Sequence, residues 1–258
     1  MNYIFKRISS KISFSNLVEV AKNPKSVVEF IRGIRAERTK RKMDMEREIR
    51  ELPVRLSKLF NAKLNKVKGY HEEIKNNKQF YQEYDSKLNN LRKEGLIKGT
   101  TSIIDCQTLY VVTRIIKPEV VVETGVMYGA FDAHITEALS KNERGRIVSI
   151  DLPGGPKKYD YGYLVSDKHK KIWNIEIGNS LNILEDVLDS FGGIGLFLHD
   201  SLHTKDHMRK EDEISYPYIR RGGVLASHDI LKSDVFQEFC EEKSVKYKTV
   251  RNIGVGLK

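Results

Sequence analysis

From residue 103 onward the chain alternates five short apolar runs with amphipathic segments, and that alternation leaves few folds open. The runs are Glu119–Glu123 (EVVVE), Arg146–Asp151 (RIVSID), Trp173–Ile177 (WNIEI), Ile194–His199 (IGLFLH) and Gly223–Ser227 (GVLAS). Such short, largely apolar runs have the texture of strands buried on both faces. Helical periodicity fills the intervals near residues 129–141, 180–190, 204–219 and 232–242. Strands separated by helices run parallel with right-handed crossovers. The closing runs VKYKTV and NIGVGLK are joined too tightly for a helix, which predicts a hairpin and an antiparallel last strand. The expected architecture is α/β, a doubly wound sheet.

The first hundred residues differ in kind. Residues 1–100 carry 24 Lys and Arg against 12 Asp and Glu, whereas residues 101–258 carry 21 against 23. This predicts a basic helical N-terminal extension over 1–100 and a separate domain over 101–258, with KEGLIKGTTS (93–102) as the boundary. Val28, Ile31 and Ile34, and later Ile49, Leu52, Leu56 and Leu59, mark a buried helical stripe, with Pro53 expected to begin a new helix. The segment RAERTKRKMDMEREIR reads as a solvated helix with pairs such as Glu46 to Arg50. Its other reading is an arm for an anionic membrane surface, a phosphorylated glycan or nucleic acid. Phe80, Tyr81 and Tyr84 fall at apolar positions of a predicted helix and are assigned to packing.

Several classes drop out. No run approaches about 18 apolar residues, so no transmembrane helix is expected. Cys106 and Cys240 stand far apart with no CxxC pair, which excludes a cysteine zinc site and a disulfide scaffold and makes a reducing cytoplasm the expectation. The opening MNYIFKRISSKISF is broken by Lys and Ser and is not read as a signal peptide.

Open α/β sheets bind ligands beyond the carboxyl ends of their strands. The first strand ends in the loop Glu123, Thr124, Gly125, Val126, Met127, Tyr128, Gly129. Gly125 permits a sharp turn and close approach to a ligand, and Gly129 permits tight helix packing. The pattern is ExGxxxG rather than GxGxxG, so a dinucleotide is disfavoured, and a carboxylate at Glu123 suits a ligand with a cationic end. Asp151, at the end of the second strand, can accept both hydroxyls of a ribose. After the third strand, Ser180 fits a helix N-cap, while Asn179 offers an amide to an adenine edge.

This order of features resembles the class I S-adenosylmethionine-dependent methyltransferases over about residues 103–258. ETGVMYGAF looks like their first cofactor loop, Asp151 their ribose-binding acid, and IGNSLNIL their adenine-side segment, where Asp is commoner than Asn179. The resemblance implies a Rossmann-like, seven-stranded sheet with an antiparallel last strand. It also implies S-adenosylmethionine as cofactor, bound by Glu123, Thr124, Gly125, Tyr128, Gly129, Asp151, Asn179, Ser180 and Asp200.

The fourth strand ends in His199-Asp200-Ser201-Leu202-His203 and the fifth in Ser227-His228-Asp229. Asp200, His228 and Asp229 are candidate ligands for a hard divalent ion such as Mg²⁺, with the imidazole tilting the preference toward a softer metal. His203 could take a hydroxyl proton near neutral pH. The pattern DSLH followed by GGVLASHD is similar to the macrocin O-methyltransferase and cephalosporin-hydroxylase-like branch of the superfamily. That likeness implies magnesium on Asp200 and Asp229, His228 standing where Glu is frequent, and His203 as base. His199 is expected to point away from the site, and His134 and His207 to be structural. The insert LPGGPKKYDYGYLVSDKH, with Tyr159, Tyr161, Tyr163 and His169, is read as a mobile lid over cofactor or acceptor, with a merely disordered loop as the other reading.

The expected function is a metal-assisted O-methyltransferase acting on a hydroxylated small molecule, a sugar or a glycan-linked group. A nucleic-acid methyltransferase gripping its substrate with the basic arm is the first alternative, although no NPPY-type motif accompanies it. The second is a non-enzymatic binding protein whose N-terminal helices serve as a dimerisation or membrane-surface module.

Overall fold

The computed structural model describes residues 24–96 and 101–258. The opening segment, residues 97–100 of the expected linker, and the side chains of Val28, Ile31 and Ile34 lie outside the described residues. Contacts divide the chain into two compact units, Met1–Ile49 and Arg50–Lys258. No described helix is long and apolar enough to cross a membrane.

Helix α1 runs Pro24–Phe60 with Pro53 inside it, so Pro53 does not begin a new helix. Proline removes one backbone bond and crowds the preceding turn, at about 3 kcal/mol. Leu52, Leu56 and Leu59 are buried at helical spacing around it, and each contributes about 2 kcal/mol by burial, which outweighs that penalty.

Residues 50–96 fall in the same compact unit as the sheet. Helices α2 (Leu64–Lys75) and α3 (Lys78–Lys93) are tied to helix α4 (Ile103–Ile116) and to α5 (Ala130–Asn142). Glu73 accepts from Tyr110 Oη at 2.5 Å and Arg114 Nε at 2.8 Å, and Asn77 donates to Glu137 at 2.8 Å. Phe80 and Tyr84 are buried, their ring centroids 4.8 and 5.1 Å from that of His134, in keeping with a packing role.

Helix α4 has no counterpart among the expected elements. Its sequence IIDCQTLYVVTRII is rich in β-branched residues, which disguises the period. Ser102 caps it by accepting from Ile104 N at 3.3 Å, and Asp105 sits in its first turn, an S-x-x-D signature of a helix start.

The strands are β1 (Val120–Thr124), β2 (Arg146–Asp151), β3 (Trp173–Ile177), β4 (Ile194–His199), β5 (Ile219–His228), β6 (Lys246–Val250) and β7 (Ile253–Leu257). Among the described residues they form one seven-stranded sheet in the order β3-β2-β1-β4-β5-β7-β6. Neighbours pair in parallel from β3 through β5, and β7 runs antiparallel to both β5 and β6. Helices α6 (Ser180–Asp189), α7 (Lys205–Ser215) and α8 (Val235–Glu242) complete the fold. It is the expected Rossmann-like α/β sheet, and β1 beside β4 is its switch point.

Side chains alternate across each strand. On β1, Val120 and Val122 enter the cluster formed with Leu184 and Phe236 of α6 and α8. Thr124, on the same face, meets Glu211 of α7, and Glu123, on the other, meets Asp132 of α5. On β4, His199 turns toward α7.

Candidate active site

The strand ends open into a cleft of about 760 Å³ running from Gly178–Ser180, past Asp151 and the 125–129 loop, to Asp200, His203, His228 and Asp229. That size suits a cofactor and part of a second ligand.

At one end the β1 loop is held by Asp151. Its Oδ2 accepts from Val126 N at 2.9 Å and Met127 N at 2.8 Å, and its Oδ1 accepts from Leu152 N at 2.7 Å. Asp151 therefore shapes the loop before any ribose arrives. Gly125 has φ +86° and donates its N–H to Ile150 O at 2.8 Å, while Gly129, φ +77°, caps α5. Tyr128 donates to Lys157 O at 3.1 Å. Asn179 is the N-cap of α6, its side chain accepting from Leu181 N at 3.0 Å. Ser180 lies inside the helix, 3.2 Å from His207 Nε2.

Glu123 lines the cleft but is almost wholly buried. Burial, then the neighbouring Asp132, push its carboxyl well above the usual range. Asp132 accepts from Ser149 at 2.5 Å and Trp173 Nε1 at 2.6 Å. Thr124 faces away from the cleft and donates to Glu211 at 2.6 Å.

At the other end the acidic and imidazole groups converge. His228 Nδ1 lies 2.6 Å from Asp200 Oδ1, and His203 Nε2 lies 3.1 Å from Asp229 Oδ2 and 3.9 Å from Asp200 Oδ1. Asp229 also accepts from Asn252 at 2.6 Å and pairs with Lys232. Burial works against protonation of His228, yet Asp200 outweighs it and raises its pKa. Burial lowers His203 despite the pull of Asp200 and Asp229, which leaves it able to accept a proton at neutral pH. Burial opposes the charge on Asp229, but Lys232 and Asn252 hold its carboxyl below the usual range.

The ligand atoms of Asp200, His203 and His228 lie within 4.8 Å of one another, a donor set that fits a divalent cation. The trio differs from the expected one. His203 takes the place of Asp229, whose oxygens are engaged by Lys232 and Asn252.

Three features escaped sequence reasoning. Asp105 on α4 is buried behind His228, with Oδ2 3.9 Å from its Nε2, and burial pushes its carboxyl up to about 6. The S-x-x-D start of α4 was the available signal. The second is Glu211, whose buried carboxylate gathers Thr124, His199 Nδ1 at 2.6 Å, Ser201 at 2.9 Å and His207 Nε2 at 2.9 Å. His199 thus points away from the cleft as expected, while His207 lines it. The third is the insert, which is clasped by α3. Lys87 donates to Val165 O at 2.8 Å, Asn90 to Tyr163 Oη at 3.1 Å, Ser166 to Glu83 at 2.7 Å, and Lys158 pairs with Glu94 at 2.6 Å. The insert, expected as a mobile lid, lines the cleft with Pro156, Tyr161 and Leu164.

Residues 122–230 match a sequence family described as a methyltransferase domain. No curated protein matches the chain. Among solved structures the fold is similar to the SAH-bound methyltransferase PaMTH1 of Podospora anserina, at 13% identity and TM-score 0.53, over 75% of this chain and 94% of that one. It is similar to an O-methyltransferase from Bacillus cereus in complex with SAH, at 14% identity and TM-score 0.51, over 69% and 91%. TomG of Streptomyces achromogenes, an O-methyltransferase involved in tomaymycin synthesis and solved in complex with SAM, is similar at 14% identity and TM-score 0.51, over 68% and 88%.

Proposed function

We propose that this S-adenosylmethionine-dependent methyltransferase transfers its methyl group to the oxygen of a hydroxylated small molecule, with metal assistance. The observation that carries the reading is the convergence of Asp200, His203, His228 and Asp229 at one end of the cleft that the Gly125–Gly129 loop also lines. The DSLH and SHD sequences at this place support the macrocin-type branch.

S-adenosylmethionine, when bound, supplies a methyl group already activated on a sulfonium. The 125–129 loop would hold it, with Asp151 toward the ribose and Asn179 toward the adenine. The protein's own work is then orientation and removal of the acceptor's proton. His203 and Asp229, 3.1 Å apart, stand where that proton leaves. Asp200 and His228 would hold a divalent cation whose charge makes a nearby hydroxyl more acidic.

The rim of the cleft indicates the body of the acceptor. Among the described residues, Met127, Leu152 and Leu202 are large hydrophobics that line the cleft and stay exposed. Leu231, 77% exposed, stands beside the lining residue Lys232. An acceptor with an apolar body next to its hydroxyl fits such a mouth better than a polyanion.

Isothermal calorimetry with S-adenosylmethionine, followed by methyl transfer from labelled cofactor to a panel of alcohols, phenols, sugars and RNA, tests this. Turnover of an apolar-bodied hydroxyl compound is expected, reduced at least about 100-fold by His203→Ala with cofactor affinity nearly unchanged. Methylation confined to RNA, or to nitrogen acceptors, would reject the reading.

A further inference from the structure

We infer that the cation taken by this cluster is a first-row transition metal ion rather than magnesium, with Asp200 Oδ1, His203 Nε2 and His228 Nδ1 as its side-chain ligands. The inference rests on the metal-assisted reading above and names the chemistry of that same site.

The donor set is the first reason. Of the three ligand atoms gathered within 4.8 Å, one is a carboxylate oxygen and two are imidazole nitrogens. Mg²⁺ is small and hard, demands near-octahedral oxygen coordination and sheds water reluctantly. Imidazole suits ions from manganese to zinc, whose affinity for nitrogen ligands rises along the series.

The second reason is that the carboxylates needed for an all-oxygen site are committed elsewhere. Asp229 is held by Lys232 and by Asn252 Nδ2 at 2.6 Å. Asp105 accepts from Arg251 Nη1 at 3.2 Å and Asn252 N at 3.3 Å.

The third is the arrangement behind His228. Its Nε2 looks toward Asp105 Oδ2 at 3.9 Å and Asn252 Nδ2 at 3.4 Å, which leaves Nδ1 on the side of Asp200. A carboxylate that accepts from the far nitrogen is the usual support of a metal-ligating histidine; Asp105 lies on that side of the ring, beyond hydrogen-bond reach at 3.9 Å. With its Nε2 on the ion, His203 is a ligand and not a free base, so the loss of turnover expected of His203→Ala is then a loss of the metal.

Full-length protein stripped with a chelator and titrated calorimetrically with Mn²⁺ and with Mg²⁺ tests the assignment. Pulsed electron paramagnetic resonance of the Mn²⁺-loaded protein then reads ¹⁴N couplings directly. Mn²⁺ is expected to bind at least about 100-fold tighter than Mg²⁺, with imidazole nitrogen coupled to it. His228→Asp and His203→Gln, each checked for folding by circular dichroism, should each narrow that ratio by about tenfold and weaken the nitrogen coupling. Mn²⁺ bound without nitrogen coupling, or Mg²⁺ bound equally well, overturns the assignment of the ion while metal assistance stands. Failure of both ions to bind overturns the two together.

Discussion

The carbonyl oxygen of Asp200 stands 2.3 Å from the point where Gly125 would carry a β-carbon. Thr124 and His199 are register partners on β1 and β4, and Asp200 N donates to Thr124 O at 2.8 Å. The loop proposed for the cofactor and the turn proposed for the acceptor therefore leave the sheet in direct contact. Transfer requires reacting atoms about 3 to 3.5 Å apart, and this contact sets how close the two ligands come.

Gly125→Ala is predicted to push the Asp200 turn outward, since the clash is with backbone and φ +86° already disfavours a side chain. The expected result is a loss of kcat of about 100-fold or more, with a smaller loss in S-adenosylmethionine affinity, read by steady-state kinetics and calorimetry. Unchanged kcat would show that the loop and the turn are not coupled.

Asp151→Ala should weaken cofactor binding and also destabilise the ligand-free protein, because three backbone N–H groups lose their acceptor. About 2 kcal/mol is expected from chemical denaturation. Asp151→Asn keeps an oxygen and should recover part of that stability but little of the affinity.

Glu211 predicts an acid-sensitive fold. Burial alone would raise its carboxyl, yet His199 and His207 hold it well below the usual range. A depressed carboxyl contributes stability that is present above the unfolded value near 4.3 and lost as pH falls toward the folded one. Glu211→Gln should cost about 3 kcal/mol at pH 7, and its denaturation curve should converge with the wild type in strong acid. A constant difference down to the lowest pH would refute the assignment.

The clasp on the insert ties α3 to the wall of the proposed cofactor site. Removing the Lys87 ammonium from Val165 O and the Glu83 carboxylate from Ser166 should loosen Leu164 and the wall beside it. The double variant Lys87→Met and Glu83→Gln is expected to lower S-adenosylmethionine affinity about tenfold while melting within a few degrees of the wild type, by calorimetry and thermal denaturation. Equal affinity would return the insert to a lid independent of α3.

The fold was largely legible because its signals are local. RIVSID, WNIEI and IGLFLH occupy β2, β3 and β4 with the bounds expected of them, each a short run between helical periods, although WNIEI alternates and β3 buries only Trp173. Pro53 misled because a local rule about backbone bonds was overridden by burial of Leu52, Leu56 and Leu59. Helix α4 was hidden by its β-branched residues, and Asp105 with it. The insert gave no sign of its anchorage, since its partners Glu83, Lys87 and Asn90 lie about 80 residues earlier.

By itself the sequence determined the strand ends, and so the positions from which Gly125, Asp151, Asp200, His203, His228 and Asp229 emerge, because alternation and periodicity are properties of neighbouring residues. Only tertiary structure decided what each side chain meets there. Thr124 and Glu123 are adjacent, yet one faces Glu211 and the other Asp132, because the helix over each face of a sheet is chosen by packing. In the same way Asp229 is engaged by Lys232 and Asn252, while His203 joins Asp200 and His228. Which charges share a cleft depends on chain segments far apart in sequence, and no local pattern encodes that distance.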